Sequence, residues 1–202
     1  MTADPLTYLP ANAWIDDALV TVHADPDAIR LLFPAVGRNC GRGPLREDSP
    51  WTVDDAVRVL LLAALPYTGE RLAEELTALY RQGDTAERRG VLRALPRLEP
   101  RIGALALPLV RDAVATNDAR LISAALGDYA ARHIDVEAFR HAVLKCVFLS
   151  IPLGDIAGLA DRVDEELVRM LVDYAQERAA AGRDVPVDVW PIVDRYLCDS
   201  QD

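Results

Sequence analysis

The sequence predicts an all-α fold of antiparallel helix pairs, arranged as a short HEAT-like right-handed α-solenoid or an irregular helical bundle. Three observations carry this. From residue 52 onward, apolar residues recur at i, i+3 and i+4. No stretch alternates convincingly with the period of two that a strand requires. The residues opening successive helix pairs, Thr52, Asp84 and Asn117, stand 32 and 33 residues apart, the rhythm of helix-pair repeats.

The first fifty-one residues read differently from the rest. They hold Pro5, Pro10, Pro26, Pro34, Pro44 and Pro50 and the cluster Gly37, Gly41 and Gly43. Two short helices, over 13–22 and 27–32, are expected within an irregular cap spanning 1–51. The helical core is expected over 52–198, and a disordered tail over 199–202.

Within the core, Thr52 reads as a helix cap, with Asp55 three residues on, where a carboxylate can reach back to the free amides. Val53, Ala56, Val57, Leu60, Leu61 and Ala64 share one face, and Pro66 ends the helix. The next helix turns Leu72, Leu76, Leu79 and Tyr80 inward and stops at Gly83, a residue suited to a left-handed cap. Asp84-Thr85-Ala86-Glu87 is a second capping box, and its helix is expected to close at Pro96. A helix over 104–115 hands over at Thr116-Asn117, and Asn117 or Asp118 caps one bearing Leu121, Ile122, Ala125, Leu126 and Tyr129. Asp135 caps a helix with Phe139, Val143, Leu144, Val147 and Phe148. A turn from 152 to 158 leads into a helix over 164–181 that Gly182 ends, and residues 187–197 form a last, shorter one.

Composition limits the function. Of 202 residues, 51% are hydrophobic and 27% charged, a globular balance. The net charge of -10 would repel a phosphate backbone or an anionic bilayer, so neither nucleic acid nor a membrane surface is an expected partner. The longest apolar run, 59–66, is far too short to span a bilayer. No basic region precedes an apolar run near the start, so no secretory signal is expected and the location is read as cytoplasmic. Cys40, Cys146 and Cys198 are odd in number and unpaired in spacing, which suits reduced thiols. His23, His133 and His141 do not pair with them at zinc-ligand spacing, so neither metal nor other cofactor is expected.

One residue resists the helical reading. Lys145 is the only lysine among 22 basic residues, and it sits inside the apolar run Ala142-Val143-Leu144-Lys145-Cys146-Val147-Phe148-Leu149. A desolvated lysine can act as base or Schiff-base nucleophile, and His141 lies one helical turn before it. The plainer alternative is a structural lysine, either paired with a carboxylate or with its stem along apolar surface and its head in water.

Other candidates are weaker. The segment Gly37-Arg38-Asn39-Cys40-Gly41-Arg42-Gly43-Pro44 offers backbone amides beside Arg38 and Arg42 for an anion, although a flexible connection explains it as well. Arg169, Asp173 and Glu177 line one helix face, the ordinary pattern of a solvated charged surface. Asn117, Asp161, Arg162, Glu177 and Arg183 complete the set of candidate ligand contacts. Cys146, beside Lys145, reads as a small core residue.

From Thr116-Asn117 to Trp190 the chain resembles the EboA family. The resemblance rests on Val143-Leu144-Lys145-Cys146-Val147-Phe148, Pro152-Leu153, and Ile156-Ala157-Gly158-Leu159-Ala160-Asp161-Arg162. It continues through the stretch from Glu166 to Ala175 and Glu177-Arg178-Ala179-Ala180-Ala181-Gly182-Arg183, with Gly83-Asp84 and Ala86-Glu87-Arg88-Arg89 extending it loosely. The family often has Asn where Asp164 stands and Trp where Ala179 stands, so no role is carried to those positions.

The resemblance implies a setting: bacterial clusters for making or exporting secondary metabolites, beside a prenyltransferase-like membrane protein, a sugar-phosphate-cyclase-like enzyme, a TatD-like hydrolase and an isomerase-like barrel. It supplies no catalytic residues. The leading expectation is an accessory protein holding a partner protein of that cluster or a small anionic or sugar-like intermediate. The rival is an enzyme acting on a sugar-like or cyclitol intermediate through Lys145 and His141, with Arg38, Arg42, Arg162 or Arg183 binding an anionic group.

Overall fold

A computed structural model describes residues 4–47 and 49–199, without the side chains of 197–199. The Cys198 side chain therefore lies outside those described; of the tail expected over 199–202, Asp199 instead ends the last helix, and residues 200–202 lie outside the described residues. The fold is all-α. Among the described residues there is no strand, only one isolated antiparallel bridge between Pro44 and Thr52.

The chain divides into two compact units, 1–112 and 113–202. The first holds α1 (Ala13–Ala24), α2 (Ile29–Asn39), α3 (Val53–Ala64), α4 (Gly69–Gln82) and α5 (Thr85–Ile102), with the boundary falling inside α6 (Leu107–Ala115). Here α3 is the central helix. It packs along α5 and also carries α1 and α2, while α4 packs against α5. Its residues 54–59, 61 and 62 are all buried, so it has almost no solvated face.

In the second unit stand α7 (Ala119–Ala125), α8 (Asp128–His133), α9 (Val136–Phe148), α10 (Leu159–Arg162), α11 (Glu165–Ala180) and α12 (Val189–Asp199). α11 packs against both α9 and α12. Phe139, Val143 and Val147 of α9 and Leu167, Leu171 and Ala175 of α11 supply buried apolar stripes.

Several caps follow the sequence. Asp84 and Glu87 form a reciprocal capping box, and Asp118 and Asp135 each accept an amide at the start of α7 and α9; Asp164, expected as the first residue of its helix, caps α11 instead. Others differ. Thr52 precedes α3 but makes no side-chain cap; its hydroxyl accepts from Arg89, and Asp55 is buried among arginines instead of reaching back. Gly83 is extended rather than left-handed (φ -76), and what it provides is room: a Cβ there would meet the Glu87 Cβ at 2.7 Å.

Proline was a poor guide to helix ends. Pro96 does not close α5, which continues through Pro96 and Pro100 to Ile102. Each proline removes one helical amide, but Leu98 and Ile102 beyond Pro96 are buried and hold the last turns down. Pro34 likewise lies inside α2, whose end takes in Gly37, Arg38 and Asn39, so these are helical and not loop. The single helix expected around 117–129 is broken at Gly127 into α7 and α8. The helix expected over 104–115 opens as a 3-10 turn, Gly103–Ala106.

Candidate functional site

Lys145 projects from the last turn of α9, and its ammonium donates to the carbonyls of Val114 at 2.8 Å and Ala115 at 3.2 Å. These oxygens end α6, where a helix has no internal donors left for its last carbonyls and carries the negative end of its dipole. The sequence alternatives of a carboxylate partner or a free head in water are both replaced by a helix cap. The lysine interrupts an apolar run because it half-emerges from the core between buried Ala142, Val143, Cys146 and Val147.

His141, one turn earlier, is exposed, and its Nδ1 lies 2.9 Å from the Glu137 carbonyl of the same helix. Cys146 is wholly buried, and burial pushes its thiol up to about 12, which keeps it protonated and inert.

The same device recurs. Arg162 donates to the carbonyls of Ala131 (3.2 Å) and Ile134 (2.9 Å) at the end of α8, and lies 4.0 Å over the Phe139 ring. Burial depresses its pKa. In the first unit, Arg101 donates to the carbonyls of Ala63 in the last turn of α3 and of Leu65 and Tyr67 beyond it, and Arg88 to Gly83 at the end of α4. Four helix ends are thus closed by a basic side chain from elsewhere in the fold.

The remaining candidates separate. Arg38 and Arg42 belong to the first unit, and both are exposed. Arg42 lies against Gly37, where a Cβ would meet its Nε at 2.5 Å, and stands 3.7 Å from Asp84. Asn117 and Arg183 are exposed in the second unit. Glu177 lines a small cleft of about 250 Å³ with Leu144, Met170 and Tyr174.

Asp161 is placed at a cavity of about 730 Å³, which lies within the second unit. Its floor is Leu153, Ile156 and Leu159, all buried, and Val163 and Ile192 extend the apolar wall. Asp161, Ala160 and Arg195 stand on the exposed rim. Gly158 makes this corner possible: at φ +70 it takes a conformation unfavourable to other residues, and a Cβ there would press on Ala131 at 3.1 Å. Neither Lys145 nor His141 lines this cavity or the cleft at Glu177.

A further polar centre escaped the sequence reading. In the first unit, Asp54, Asp55 and Arg58 of α3 have no solvent exposure at all. Arg58 pairs with Asp54 at 2.6 Å, Arg89 with Asp55 at 2.8 Å, and Arg93 with Asp55 at 3.3 Å. Gly90 lets α5 close over Arg58, since a Cβ there would strike its Cδ at 2.6 Å. The i, i+4 spacing of Asp54 and Arg58 inside an apolar helix was the available signal; reading Asp55 as a cap residue drew the aspartates to the helix start and hid it.

Among the described residues, no cluster of His, Cys, Asp and Glu has the arrangement of a metal site. No helix among them is long and apolar enough to cross a membrane. No curated protein and no solved structure matches the chain. Residues 44–194, which include α3 to α11, match the family described as metabolite traffic protein EboA. The chain belongs to the EboA family.

Proposed function

We propose that this protein is a non-catalytic accessory component of a bacterial secondary-metabolite cluster, which binds an intermediate of that pathway or one of its partner proteins in the cytoplasm. The observation that supports it most is the engagement of Lys145. The side chain whose position most suggested covalent or acid–base chemistry is spent on the two final carbonyls of α6, and a cavity large enough for a small molecule lies elsewhere in the same unit. The family description, a metabolite traffic protein, agrees with binding and delivery. About 730 Å³ is within the range of about 300–1,000 Å³ usual for small-molecule sites.

The rival enzyme reading, in which Lys145 and His141 act on a sugar-like or cyclitol intermediate, has less support, because the two side chains face different carbonyls and neither lines the cavity of about 730 Å³. Purified protein, incubated with the cluster's other proteins and with extract of producing cells, tests the proposal. Capture of a cluster protein or of a metabolite, unaltered, is expected. Capture of neither, together with turnover of a pathway intermediate, would overturn it.

A further inference from the structure

The cavity beside α10 and α12 has a distribution of charge that narrows what it can hold. Its floor is aliphatic and buried, Leu153, Ile156 and Leu159, and so favours an apolar body that leaves water. Its rim carries two ionic side chains and one phenol. Arg195 and Tyr196 are engaged in contacts of their own. Asp161 is not: its carboxylate is exposed and makes no hydrogen bond or ion pair among the described residues, although its backbone is fixed in α10. Its charged neighbours Arg162 and Asp164 are committed, Arg162 to the carbonyls of Ala131 and Ile134 and Asp164 to Arg140 at 2.6 Å. Asp161 is thus an uncommitted charge on the single turn of α10, at the mouth of an apolar hollow.

We propose that the cavity takes an amphiphilic small molecule bearing a protonated amine, with its apolar body on Leu153, Ile156 and Leu159 and its ammonium on the Asp161 carboxylate. This names the ligand class for the metabolite-binding reading and rests on it. A charge-assisted hydrogen bond to a carboxylate is about twice as strong as a neutral one, and the net charge of -10 disfavours an anionic ligand at long range.

A matched series tests this: 4-phenylbutylamine, 4-phenylbutanol and 4-phenylbutyrate, titrated calorimetrically into the full chain. The amine is expected to bind tightest and the carboxylate weakest. Asp161→Asn, at an exposed position, is expected to weaken the amine about tenfold and leave the alcohol unchanged. Ala160→Trp, which fills the cavity from its exposed rim, is expected to abolish binding of all three. Equal or tighter binding of the carboxylate, an amine affinity indifferent to Asp161→Asn, or amine binding that survives Ala160→Trp would each overturn the ligand assignment. Capture of an unaltered pathway metabolite that ignores Asp161→Asn would sink this inference alone; failure to capture any metabolite or partner protein would sink the broader function.

Discussion

Lys145 donates to the Val114 carbonyl across 2.8 Å and so closes α6 from α9, linking two helices through one ammonium. Charge at a helix C-terminus contributes up to about 2 kcal/mol in partly buried geometry. Lys145→Met keeps the apolar stem and loses the donor, so it is expected to cost about 1–2 kcal/mol in urea unfolding. Lys145→Arg, which restores donor and charge, is expected to recover most of that. Equal stability of all three proteins would remove the cap from the account.

The buried pair Asp54–Arg58 makes a sharper prediction. Neither side chain touches solvent, and while the Arg58 Nη1 donates to Asp54, its Nε and Nη2 have no hydrogen-bond partner. Removing one member strands the other, a loss of about 3–5 kcal/mol. Asp54→Asn is therefore expected to destabilise strongly, and Asp54→Asn with Arg58→Met to cost clearly less than the two single losses added together. Additive losses in that double-mutant cycle would mean the pair is not coupled.

Gly90 is expected to resist alanine, although alanine is the better helix former by about 1 kcal/mol. The added Cβ would stand 2.6 Å from the Arg58 Cδ and 2.9 Å from its Cβ, inside the packed contact of α3 with α5. Overpacking of that kind costs about 1–3 kcal/mol. A thermal midpoint for Gly90→Ala at or above the parent's would contradict the close approach.

Much of this was legible beforehand, and the reasons for the rest are physical. The caps Asp84, Asp118 and Asp135 act on amides within three residues, so sequence spacing suffices to find them. The basic caps are different: Lys145 and Val114 are 31 residues apart, and Arg101 and Ala63 are 38 apart. No local pattern encodes such a pairing. Pro96 misled for a related reason, because burial of Leu98 and Ile102 outweighs the lost amide. At the candidate site, Asp161 stood out only as part of a charged run and of the segment Ile156 to Arg162 that carries the resemblance, whereas Ile192 and Arg195 reach the same cavity from a helix some thirty residues later.

Acid sensitivity follows from Glu75. This buried carboxylate receives two hydrogen bonds from Arg30, at 2.9 and 2.8 Å, which hold its pKa below the ordinary value of 4.5. A carboxyl depressed on folding stabilises above its unfolded pKa, and the contribution is lost as pH falls through the folded value. Asp164, depressed by Arg140, acts in the same direction. Stability is expected to be flat from pH 7 to about 5 and to fall below that. Glu75→Gln should lower stability at pH 7 and make the fall shallower. An unchanged acid slope in the variant would assign it to other carboxylates.

The central claim is that Lys145 holds the fold and performs no chemistry. It is tested most directly in a producing strain lacking its own copy, supplied with Lys145→Met at a temperature where that variant is folded by circular dichroism. Metabolite output equal to that with the parent protein is the expected result. A folded Lys145→Met protein at parental abundance that restores no output would contradict the claim and return the lysine to the reaction.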